Sequence, residues 1–181
     1  MHEMTPATQS NILKAHTASG IPASQYQVPY KRIGDLLTTQ VEIHNEKTWL
    51  IFHSDTAGRT EYTYREFYEL VCKTANFLLS QGIACGDRIA TVAYNHADTV
   101  VQYFAAWLIG AVVVPINVGE DDKRIGYILQ NSEAKLAFVR EEFIQRIEKI
   151  LAETPSVKTI VRVGGNPDPS SRHPDLHSHI S

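Results

Sequence analysis

Asn95 and His96 are the residues of this chain best placed, by type and position, to meet a ligand. They follow a β-rich run, Arg88 to Tyr94, and open an apolar helical run, Ala97 to Ile109. That puts them at the carboxyl edge of a sheet, where open α/β folds hold their ligands. Asn95 also has the side chain of a helix N-cap, able to accept a free N–H of the first turn. The cap is the simpler reading, and a ligand contact stays open beside it. Asn117, just past the run Ala111 to Ile116, stands at the same kind of edge.

Other chemically suggestive residues have plainer explanations. Glu120, Asp121 and Asp122 carry oxygens that suit Mg²⁺, but they also precede a helical pattern, where acids favour the positive end of the helix dipole. His173, His177 and His179 crowd the C-terminal stretch. A metal site needs ligands fixed in geometry with supporting partners, and the polar surroundings here read as a flexible, His-containing linker. Cys72 and Cys85 lie 13 positions apart with no second pair to complete a zinc site. They suit a reduced protein, and neither has a neighbour that would activate a thiolate. Phosphate-cradling loops are missing too: there is no G-x-G-x-x-G and no G-x-x-x-x-G-K-[ST]. Gly82, Gly86, Gly110 and Gly119 all flank helices, as caps and turns do. The residues therefore assign no catalytic, cofactor-binding or metal-binding position.

The 181 residues are 43% hydrophobic and 20% charged, the usage of an ordinary globular domain. Seventeen basic residues against 20 acidic ones give a net charge of −3, with no basic stripe of the kind nucleic acids require. The first thirty residues lack the basic start and apolar run of a secretory signal. The apolar runs are far short of a membrane span. A cytoplasmic protein without nucleic-acid partners or a membrane span is expected.

Three regions are expected from the pattern. Residues 1–30 are polar and aperiodic and read as a loose arm. Residues 31–165 form an α/β domain. Residues 166–181, opening with Asn166-Pro167-Asp168-Pro169, have linker composition. Within the middle region, Ile33, Leu36, Leu37 and Val41 predict a helix over 33–43. The run 48–53, turn residues 54–58 and the run 59–62 predict a hairpin. Thr63 and Glu66 form a capping box for a helix whose apolar face runs from Phe67 through Leu79 and which ends at Gly82. Strands are predicted at 88–94, 111–116, 134–139 and 158–163, with helices at 97–109, 121–130 and 141–153 between them. This alternation is the pattern of a doubly wound, mainly parallel sheet with helices on both faces. The unbroken apolar run Ala111 to Ile116 predicts a strand covered on both sides, with Pro115 at its end.

Four segments, in order, resemble the N-terminal region of the adenylate-forming (AMP-binding) superfamily. They are Tyr62-Thr63-Tyr64-Arg65-Glu66-Phe67, Gly82 through Ala90, Gly110 through Asn117, and Tyr127 through Lys135. The resemblance covers about Lys31 to Gly165. Phe67, Leu108 and Val118 depart from the usual family residues without threatening the fold. The second half of the match is most similar to acyl-CoA synthetases, and implies an AMP-forming carboxylic acid–CoA ligase of fatty acid metabolism that uses ATP, Mg²⁺ and CoA.

The resemblance also implies what this stretch would lack. The family's Ser/Thr/Gly-rich phosphate loop, adenine pocket, ribose-binding Asp and catalytic Lys come after the matched region. The expectation is an N-terminal fragment, inactive alone and binding none of these cofactors, whose partner is the remainder of the ligase. A subunit of a split ligase and a non-catalytic module binding a small molecule near Asn95 and Asn117 are the alternatives. A homo-oligomer is compatible with all three.

Overall fold

The computed structural model describes residues 4–18, 21–22, 25, 27–54, 58–152, 157–165 and 170–180. The chain divides into two compact units, Met1–Lys31 and Arg32–Ser181.

In the first unit, helix α1 (Pro6–Ala15) is capped by Thr5, whose hydroxyl accepts the Thr8 N–H at 3.2 Å. Pro6 occupies the first helical turn, where a missing N–H costs nothing. Strands β1 (Thr17–Ala18) and β2 (Ile21–Pro22) pair antiparallel. The sequence reading put no element here, because α1 buries no residue and so shows no apolar face.

The second unit opens with α2 (Ile33–His44), then the antiparallel hairpin β3 (Thr48–Ser54) and β4 (Gly58–Thr63). Residues 55–57 of the predicted turn lie outside the described residues. Helix α3 (Tyr64–Ser80) begins with the expected capping box: Thr63 Oγ1 accepts the Glu66 N–H at 3.1 Å, and Glu66 Oε2 accepts the Thr63 N–H at 2.8 Å. It ends in a Schellman arrangement, with Ile83 N–H donating to the Leu78 carbonyl and Gly82 N–H to that of Leu79. Gly82 takes φ +76°, the left-handed conformation this motif needs.

The main sheet is all parallel: β5 (Arg88–Val92), β6 (Val112–Ile116), β7 (Leu136–Arg140) and β8 (Thr159–Val163), in spatial order β6-β5-β7-β8. The crossovers are α4 (Ala97–Leu108), α5 (Asp122–Ser132) and α6 (Ile144–Leu151), the last entered through a 3-10 turn at Glu141–Phe143. Side chains alternate as strand geometry requires. Ile89, Leu136, Phe138, Val161 and Val163 join α3 and α4 in one core. Ala90, Val92, Ala137, Val139 and Ile160 join α5 and α6 in the other. The fold is α/β, with helices on both faces of a parallel sheet.

Two expectations need correction. The strand over 111–116 does pack on both faces, Val113 towards one core and Val114 and Ile116 towards the other. The cover is incomplete, however: β6 is an edge strand, Val112 is 48% exposed, and Pro115 is exposed as well. Pro115 sits inside the strand rather than at its end, which is tolerated because an edge residue can face away from the ladder. The stretch 166–181 is not a linker throughout either. Over 170–180 it runs beside β8, where Arg162 N–H donates to the Pro174 carbonyl at 2.9 Å and Arg162 bridges Asp175 in parallel. It then forms the short helix α7 (Leu176–Ile180), with Leu176 and Ile180 buried in the first core. Two apolar residues at i, i+4 outweigh a polar composition once a groove is there to receive them.

Candidate functional site at the switch point of the sheet

The strand order reverses between β5 and β7, since the chain leaves β5 for β6 and then crosses back to β7. The carboxyl ends of these two central strands therefore flank a topological switch point. Two loops meet there, Ala93–His96 after β5 and the turn at Glu141 after β7.

The side chain that caps α4 is His96, not Asn95. His96 Nδ1 accepts the Asp98 N–H at 3.1 Å, while Asn95 is exposed. Phe52 of β3 packs on the His96 ring at 4.5 Å between centroids. Burial is the main cause that pushes His96 below its ordinary value, against the pull of Asp98. A neutral ring leaves Nδ1 as an acceptor, which is what a cap needs.

Asp98 is the centre of the cluster. Its Oδ2 lies 3.0 Å from His96 Nδ1, 3.5 Å from Arg140 Nη1 and 3.6 Å from His177 Nε2. Burial works against its charge, but His177, His96 and Arg140 together outweigh burial and hold the carboxyl below the usual range. His177 is correspondingly raised, chiefly by Asp98 and against its own burial. Arg140, at the end of β7, also reaches Glu142 Oε1 from Nε at 3.3 Å. Its buried Nη1 makes no hydrogen bond among the described residues and meets Asp98 only at ion-pair distance. This group of two histidines, an arginine and two carboxylates can hold a proton or balance an anion.

Sequence reasoning missed Asp98, Arg140 and the link to His177. Asp98 looks like an ordinary first-turn acid, and His177 lies in another segment altogether. The available signal was an acid one turn into the helix that leaves a central strand at its carboxyl edge.

The remaining candidates scatter. Asn117 Oδ1 accepts the Gly119 N–H at 3.0 Å, closing a turn after β6. Asp121 caps α5 by accepting the Arg124 N–H at 2.8 Å. Arg146 of α6 clamps this loop, donating to Asp122 Oδ1 at 2.7 Å and to the Val118 and Glu120 carbonyls. The acidic run is thus engaged in helix-start and loop contacts. The three tail histidines diverge: His173 meets Glu148 at 2.7 Å, His177 meets Asp98, and His179 packs on Phe77 at 5.0 Å. Among the described residues, no group of three or more His, Cys, Asp or Glu is placed to hold a metal ion. Cys72 and Cys85 are free thiols. Cys85 packs against Gly110, where a Cβ would fall 2.8 Å from its sulfur and where φ is +77°, so only glycine fits.

Residues 37–178, well over half of the 181, match the model of the AMP-binding enzyme family. The chain belongs to that family. Among its relatives, the crotonobetaine/carnitine–CoA ligase of Citrobacter koseri is 35% identical over 116 residues, covering 62% of this chain and 22% of the relative. The peroxisomal butyrate–CoA ligase of Arabidopsis thaliana is 31% identical over 118 residues, covering 65% of this chain and 20% of the relative. The anthranilate CoA ligase AuaEII, solved with anthranoyl-AMP, superposes with a TM-score of 0.75 at 26% identity, covering 88% of this chain and 29% of that one. The acetoacetyl-CoA synthetase of Streptomyces lividans shares the fold, with a TM-score of 0.75 at 16% identity. The chain spans about a fifth of the length of the curated relatives it matches. Among the described residues, no helix is long and apolar enough to cross a membrane.

The Asp98–His177 pair predicts a pH signature. His177 is raised, so its contribution is fully present below the unfolded value of about 6.5 and is lost as pH rises through the higher native value. Asp98 is lowered, so its contribution is present above about 3.9 and is lost as pH falls through the lower native value. His96, being lowered, opposes His177 and loses stability on acidification. Comparing wild type with His177→Gln isolates the one term. The His177 side chain is 48% exposed, so solvent screening limits its share to about 1 kcal/mol or less. The Tm gap between the two proteins is expected to be a few degrees at pH 5–6 and to close towards pH 9, read by thermal unfolding across pH.

Proposed function

We propose that this chain is the leading subdomain of an ATP-dependent, AMP-forming carboxylic acid–CoA ligase, and that it scaffolds the enzyme without adenylating a substrate itself. The observation that carries this is the family match over residues 37–178, set against relatives of which the matched stretch is only 20–22%. The sheet supports it. Its β8 edge is covered by the stretch through Pro174 and Asp175, whereas β6 pairs with a strand on one side only among the described residues, with Val112 and Pro115 exposed. Natural sheets seldom leave an apolar edge open, and a neighbouring part of the ligase would close it.

Adenylation joins a carboxylate to the α-phosphate of ATP and expels pyrophosphate. The charge that gathers in the transition state requires positioned N–H groups, a lysine and Mg²⁺, and a lid then admits the thiol of CoA. On this reading no residue of this chain is catalytic. ATP, Mg²⁺ and CoA are held by the remainder, which is the partner of this subdomain in a cytoplasmic enzyme.

The test is pyrophosphate release with ATP, Mg²⁺, CoA and a panel of short-chain, carnitine-like and aromatic acids. The chain alone is expected to give none. Joining it to the sequence encoded downstream of Ser181, in one chain or by co-expression, is expected to restore turnover. Turnover by the 181-residue chain alone would overturn the reading. Restoration only by an independently encoded chain would identify a split ligase.

A further inference from the structure

Residues of α2, β3, α3 and α4 line a pocket of about 260 Å³. Its floor is a ring cluster: Trp49 stacks on Phe67 at 4.0 Å, and Phe104 stands edge-on to both, at 5.6 and 5.3 Å. Leu36, Leu37 and Val41 of α2 form the wall, and Gln40 and Tyr64 supply the polar groups. The pocket shares no residue with the switch-point cluster.

We propose that this pocket binds a neutral, flat, bicyclic aromatic molecule carrying one hydroxyl or N–H group. Three observations fix the class. The volume exceeds the roughly 150 Å³ of an apolar cavity that holds benzene and falls below the roughly 300 Å³ at which drug-sized sites begin, so two fused rings are the matching size. The aromatic floor offers offset and edge contacts to a further ring. Among the described residues no charged side chain lines the pocket, so an ionised ligand would lose its hydration without a partner, whereas a single hydroxyl can pair with Gln40 or Tyr64. The inference is independent of the ligase reading.

The experiment uses the intact 181-residue chain and ligand-observed NMR with 2-naphthol, naphthalene and 2-naphthoate. Saturable binding of 2-naphthol is expected, with 2-naphthoate at least about tenfold weaker. Val41→Phe fills the pocket from α2 and should reduce 2-naphthol binding at least about tenfold. Should that variant fold poorly, the double variant Gln40→Leu, Tyr64→Phe keeps the shape. It should weaken 2-naphthol about two- to tenfold, the worth of one hydrogen bond, and leave naphthalene unchanged. Absence of saturable binding, equal affinity for the carboxylate, or no response of 2-naphthol to either variant would overturn the proposal.

Discussion

Phe138→Ala is expected to lower the unfolding free energy by about 3–5 kcal/mol, the range for emptying a buried aromatic site. Phe138 is 1% exposed on β7, which is hydrogen-bonded on one side to β5 and on the other to β8. Its ring fills the core shared with α3, α4 and α7. A strand held from both sides cannot shift to close the hole, so most of the cavity cost persists. Against a total of about 5–15 kcal/mol for a native domain, a sizeable fraction of the chain would unfold under mild stress. Urea midpoints check it, with Val112→Ala as the control. Val112 is 48% exposed on the edge strand, so its truncation should stay within about 0.5 kcal/mol. Equal shifts in the two variants would mean that β7 is not the centre of the sheet.

The contrast between these two residues shows where the sequence was legible. Phe138 and Val112 both sit in apolar runs, and the runs were enough to find both strands. Their places in the sheet depend on which way each crossover turns, and no local pattern encodes that. Helix α3 was readable from cap to cap, because Thr63, Glu66 and Gly82 each act on backbone groups within four residues. The cap of α4 was harder. Asn and His are neighbours in the chain, and the choice between them depends on Phe52, from β3, covering the His96 ring. The switch-point cluster was the least legible of all. Its members come from α4, β7 and α7, and Asp98 gains its character from partners 42 and 79 positions away in sequence, Arg140 and His177. The family resemblance identified the fold correctly but said nothing of this cluster.

Leu176→Ala tests the correction that the structure makes to the C-terminal stretch. Leu176 is 2% exposed and shares its core with Ile180. A full Leu→Ala cost of about 2–5 kcal/mol is expected if α7 unfolds only with the rest. A five-residue helix has little stability of its own, so the variant can instead release α7 alone, and the measurable loss is then capped at the free energy of that docking. Where α7 unfolds only with the rest, limited proteolysis within 170–180 should accelerate about thirtyfold or more, since about 2 kcal/mol corresponds to that factor. Where α7 is released alone, the acceleration stops at the factor set by its docking free energy. A linker would show no change in cleavage or in urea midpoint. The electrostatics give a second reading of the same event. Once α7 leaves, Asp98 loses His177, and the difference between wild type and His177→Gln should vanish in the Leu176→Ala background at every pH. Persistence of that difference would mean that α7 stays docked in the Leu176→Ala protein and unfolds only with the rest of the core.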